Sequence, residues 1–177
     1  MISLKEKIKI DEKLYNYINE TSLTDNKEEI MIFGGKKIND TIQINSDTFK
    51  LFDDELVKRD KGNAVIYLNN FINEVDRLKN SNCDVVFMVH SHYSKFKSLE
   101  FMYGDLSDED EEVSKKLRLL CNKYEMDYYD GITTGTRIYF WSTKGNNPQL
   151  LDCYIDNIKV DYNRLTEITE TIEHRMK

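Results

Sequence analysis

Apolar residues fall along this chain in short clusters whose spacing switches between the two-residue period of a strand and the three-to-four-residue period of a helix. A strand-like Ile8-Lys9-Ile10 comes first, and Asp11 stands where it can cap a helix over Glu12 to Thr21 with Leu14 and Ile18 on one face. Glu28 to Lys37 reads as a strand closed by Gly34 and Gly35. Thr41 to Phe52 is its antiparallel neighbour across an Asn39-Asp40 turn. From Asn63 to Ser81, Val65, Leu68, Ile72 and Val75 predict a helix packed on a sheet. Asp84 to Val89 is apolar on both faces, which predicts a central strand covered on each side. A second helix is signalled over Leu106 to Met126, with Ser107 as N-cap, acid in its first turn and Val113, Leu117, Leu120 and Tyr124 as the inner stripe. Strands follow at Tyr128 to Thr134, Thr136 to Thr143 and Gln149 to Val160. Leu165, Ile168, Ile172 and Met176 place a helix in the tail. The pattern predicts one α/β domain over residues 1–160, a mixed central sheet flanked by helices, and a helical tail over 161–177 that docks on the body or on a second copy.

Composition narrows the partners more than the fold. Thirty-two acidic residues against 25 basic ones leave a net charge of −7, which gives no electrostatic reason to bind nucleic acid or an anionic membrane. Cys83, Cys121 and Cys153 are widely spaced with no C-x-x-C pair, so neither a disulfide framework nor a cysteine zinc site is suggested. No run approaches the roughly 20 apolar residues of a membrane span, and the first residues lack the apolar core of a signal peptide. A cytoplasmic protein is expected.

Candidate chemistry gathers at the end of the central strand. His90 and His92 are two of only 3 histidines in the chain. Strand residues two apart point to one side, so both imidazoles can reach one ion, and ligands of open α/β sheets collect at this end. A catalytic zinc site needs a third protein ligand. The acidic block from Asp105 to Glu112 offers several, and the S-x-x-D of Ser107 and Asp110 singles out Asp110, whose side chain turns back towards the helix start. The same S-x-x-D is also a capping box, which needs no metal. Asp105 and Asp108 read as helix-start acids, with Asp108 an alternative ligand, and His174 as an exposed tail residue.

"HSHY" at 90–93, "SDED" at 107–110 and "EEIMIFGG" upstream together resemble the JAB/JAMM (MPN) metalloproteases, whose signature is H-x-H-P, a loop, S-x-x-D and a glutamate on an earlier strand. The resemblance spans the core in the family's element order. It departs at Tyr93, which replaces the usual proline, at Met31, where a glycine is common, and in a longer loop between His92 and Ser107. It implies a JAB/MPN-like, cytidine-deaminase-like architecture in which His90, His92 and Asp110 bind one Zn²⁺ and a water fills the fourth position. Glu28 would be the general base, with Glu29 as runner-up, and Ser107 would stabilise the oxyanion. The implied substrate is the C-terminal tail of a ubiquitin-like or sulfur-carrier-like protein, cut at a peptide or isopeptide bond. The competing expectations are an inactive MPN-type scaffold that binds partners and a zinc amidohydrolase for a small substrate.

Overall fold

The chain folds in the order β1 (Lys7–Ile10), α1 (Glu12–Thr24), β2 (Ile30–Ile38), β3 (Thr41–Leu51), β4 (Val57–Asp60), β5 (Asn63–Ile66), α2 (Leu68–Asn80) and β6 (Val85–Ser91). The second half follows as α3 (Asp108–Lys123), β7 (Asp127–Thr133), β8 (Ile138–Ser142), β9 (Gln149–Leu150), β10 (Asp152–Ile155), β11 (Ile158–Lys159) and α4 (Arg164–Arg175). This computed structural model describes residues 5–24, 28–52, 57–60, 63–91 and 104–175.

Nine strands form one mixed sheet in the order β11-β10-β1-β3-β2-β6-β7-β8-β9, and β4 and β5 form a separate two-stranded ribbon. β6 lies in the middle, antiparallel to β2 and parallel to β7, and all of its residues are buried, as a strand apolar on both faces requires. β9 and β10 are separated only by Leu151, whose N–H bonds the Phe140 carbonyl at 2.9 Å, so the two ends of the strand order meet and the sheet curls. Its inner face holds α1, with Leu14, Tyr15 and Ile18 packed on Phe33, Phe87, Tyr129 and Phe140. On the outer face α2 and α3 place Phe71, Val75, Leu78, Leu117 and Cys121 over Ile32, Val86, Met88 and Tyr128.

Several expectations hold at the level of elements. Asp11 caps α1, its Oδ1 accepting the Leu14 N–H at 2.8 Å. Asn39 takes the left-handed turn conformation (φ 58°) between β2 and β3. Cys83, Cys121 and Cys153 are free and buried.

Others are corrected. β2 runs through Gly34 and Gly35 to Ile38 and does not end at the glycines. They are there for close approach, since a Cβ on Gly34 would stand 2.5 Å from the Cys83 sulfur. Asn63–Ile66 is a strand, so Val65 precedes α2, and Leu68 is 59% exposed while Phe71, Val75 and Leu78 are buried. Two stripes of helical spacing overlap in this segment, and only the position of the sheet selects one. In α3 the buried line is Ser114, Leu117 and Cys121, with Leu120 and Tyr124 partly covered and Val113 exposed, because Ser114 is drawn to Thr143 at 3.0 Å. The segment expected as one strand from Gln149 divides into β9, β10 and β11. α4 docks through buried Glu167, which accepts hydroxyls of Thr134, Thr136 and Tyr139, while Leu165 is exposed.

Candidate functional site

His90 lies at the C-terminal end of β6, 7% exposed, and its Cα pairs with Ile30 of β2 and Ile132 of β7. Alternation from Val86 and Met88 puts its ring on the outer face, under α3. The start of α3 is fixed by a full capping box. Ser107 Oγ accepts the Asp110 N–H at 3.1 Å, and Asp110 Oδ2 accepts the Ser107 N–H at 3.2 Å. That same Oδ2 stands 3.4 Å from His90 Nε2. The cap and the approach to the histidine are therefore one arrangement, because the backbone bond to Ser107 turns the carboxylate towards the strand end.

The separation bears on what the pair can hold. A direct charge-assisted N–H···O⁻ bond closes to about 2.7–2.9 Å. Two donor atoms each about 2.1 Å from a tetrahedral zinc are about 3.4 Å apart, by the chord of an angle of about 109°. An imidazole nitrogen and a carboxylate oxygen at 3.4 Å thus suit that ion in both chemistry and spacing. Among the described residues no group of three or more His, Cys, Asp or Glu is arranged to hold a metal. His92, the third expected ligand, lies outside the described residues, as does most of the segment leading to Ser107.

Glu28 and Glu29 enter β2 from opposite sides. Ile30 and Ile32 belong to the outer core and Met31 and Phe33 to the inner one, so alternation puts Glu28 on the side of His90 and Glu29 on the side of α1. The charge of Glu28 acts on His90. Glu29 is 2% exposed, its backbone N–H bonding Ser91 Oγ at 2.8 Å and its carbonyl accepting the Ser91 N–H at 3.0 Å.

Charge around His90 is mostly negative. Burial works against a proton on its ring, but the bond to Asp110 and the charges of Asp130, Asp110 and Glu28 outweigh it and raise the pKa to about 9. Asp130 of β7 is a residue that the sequence reading passed over. It is 3% exposed, and burial lifts its carboxyl to about 7 although His90 pulls the other way. The signal was legible, because a lone acid inside an apolar strand, Tyr128-Tyr129-Asp130-Gly131-Ile132, has to be paired or used. Beneath it the Tyr128 hydroxyl donates to Asp130 Oδ1 at 3.4 Å, and burial first, then Asp130, pushes that phenol well above its usual range.

Asp105 and Asp108 are exposed, the latter as the first residue of α3. His174 is in α4, and its side chain is outside the described residues. Burial raises the Cys121 and Cys153 thiols to about 12, far from nucleophilic use at neutral pH. Trp141, half-buried on β8, donates to the Gly104 carbonyl at 2.6 Å and ties the approach to Ser107 onto the sheet. No family model matches the chain, and no curated protein matches its sequence.

Proposed function

We propose that this chain is a zinc-dependent peptidase or isopeptidase of the JAB/JAMM type, acting on the C-terminal tail of a ubiquitin-like or sulfur-carrier-like protein. The observation that carries the reading is the meeting of His90 Nε2 and Asp110 Oδ2 at 3.4 Å, from elements distant in sequence, at the spacing of two ligands on a tetrahedral ion. The curled mixed sheet, with α1 on one face and α2 and α3 on the other, is in keeping with a JAB/MPN-like architecture.

His90 and Asp110, with His92, would hold the ion. When bound, zinc supplies Lewis-acid polarisation of a carbonyl and lowers the pKa of a water to about 7. Glu28, on the same face, takes the proton of the attacking water and hands it to the departing amine. Ser107 accepts the Asp110 N–H, and its own hydroxyl hydrogen is not used in that bond, so it can donate to the carbonyl oxygen as negative charge develops there. The alternative, a scaffold that binds protein partners without an ion, draws support from the His90–Asp110 pair, which can also close as an ion pair without metal.

Metal analysis separates the two. The purified chain is expected to contain about one zinc, Asp110→Ala to lose it, and Glu28→Ala to keep it while losing hydrolysis of a ubiquitin-like fusion. Full occupancy in Asp110→Ala would sink the ligand assignment. A wild-type chain free of metal after zinc supplementation would sink the enzyme reading in favour of the scaffold.

A further inference from the structure

Asp130 is a buried carboxylate with an unusual set of neighbours. Its Cα pairs with Met88 on one side and with Trp141 on the other, so its side chain lies on the outer face that also carries His90, two residues beyond Met88. Among the described residues its Oδ1 accepts from the Tyr128 hydroxyl at 3.4 Å and from the Gly131 N–H at 3.2 Å. Neither donor carries a charge. The charges that act on Asp130 are those of His90, which attracts, and Asp110, which repels. An acid taken out of water is costly unless positive charge compensates it. Among the described residues the compensating charge at Asp130 is that of His90, from a proton on the ring or from an ion that the ring holds. Asp130 is not itself a ligand on this geometry, since it forms no metal-holding group of three with His90 and Asp110.

We infer that Asp130 is a positioning residue of the metal centre, a buried counter-charge that acts through His90 and sets how tightly the site holds its cation; this rests on the zinc reading proposed above. A divalent ion held by the His90 ring and the Asp110 carboxylate keeps a net positive charge, and Asp130 is a nearby buried group that offsets it without occupying a coordination position. Partners one step removed from the ligands typically change metal affinity by about 10- to 100-fold when altered.

Two substitutions remove the charge by different routes. Asp130→Asn keeps an acceptor for Tyr128 and Gly131, whereas Asp130→Leu needs no hydrogen bonds and suits the apolar surroundings, so failure of one to fold leaves the other. Zinc affinity of the full chain is measured by competition with a chromophoric chelator, beside thermal melting of the metal-free proteins. The expected result is about 10- to 100-fold weaker zinc binding with one zinc still taken up at saturation, and a melt that stays cooperative. Cobalt(II) affinity should fall in parallel, which loss of a purely structural acceptor would not produce in a protein that melts normally. Wild-type affinity in the folded variants would overturn the role of Asp130 and leave the zinc reading standing. A wild-type chain that binds neither metal would overturn both.

Discussion

A carboxylate at the third position of a helix usually accepts the N-cap amide and does nothing more, and Asp110 does accept the Ser107 N–H at 3.2 Å. The same oxygen stands beside His90, and protons on that ring follow from it. In the metal-free protein burial opposes the charged ring, but Asp110, Asp130 and Glu28 raise its pKa from 6.5 to about 9. A raised folded pKa means that the contribution to stability is complete below about 6.5 and is lost as pH climbs through about 9. The Asp130 carboxyl, lifted by burial from 3.8 to about 7, has the same sign over a lower window. Melting of the metal-free chain should therefore show a falling component from about pH 6.5 to 9, and Asp110→Asn should flatten it. An equally steep fall in that variant would disconnect Asp110 from His90. Zinc requires the neutral ring, so its uptake at pH 7 should release a proton into solution, measurable with a pH indicator.

At the scale of elements, Ser107 carries two separable tasks. Ser107→Ala removes the cap and should cost about 1 kcal/mol of stability. Its loss as an oxyanion donor should lower kcat by about 10²- to 10³-fold with zinc retained. Ser107→Asp keeps an excellent cap but cannot donate, so melting should recover and turnover should not. Recovery of both would reduce Ser107 to a cap alone. The two helices on the outer face also show why periodicity is an incomplete guide. In α2 both Leu68-Ile72-Val75 and Phe71-Val75-Leu78 have helical spacing, and the sheet takes the second. Phe71→Ala should then cost about 3–5 kcal/mol, and Leu68→Lys less than about 0.5 kcal/mol, in denaturant melts. Comparable losses at the two positions would contradict this orientation of the helix.

For the whole molecule, closure of the sheet and docking of the tail meet at β8. Inner-face Phe140 of that strand bonds through its carbonyl to Leu151, where the strand order joins. Outer-face Tyr139 packs against Tyr162 with ring centroids 4.6 Å apart and planes tilted by 37°, and donates to buried Glu167. Arg137 adds an ion pair to Glu170 at 2.7 Å. Among the described side chains the tail is held by polar groups around one carboxylate. Glu167→Ala should cost about 2 kcal/mol and speed proteolytic cleavage between Asp161 and Asn163, read by mass spectrometry of limited digests. Unchanged cleavage would show that the tail is anchored without Glu167.

What the sequence by itself determined was whatever one segment decides alone. The doubly apolar Val85–Val89 had to be central, Ser107 with Asp110 had to cap α3, Asn39-Asp40 had to turn, and His90 had to stand at a strand end. Tertiary structure decided everything that needs two segments at once. Which stripe of α2 is buried, which side of β2 carries Glu28, and that Asp130 lies on the face of His90 follow from register and packing. Local spacing fixes the period of a side-chain pattern, whereas its phase is set only when a second surface arrives to bury one face of it.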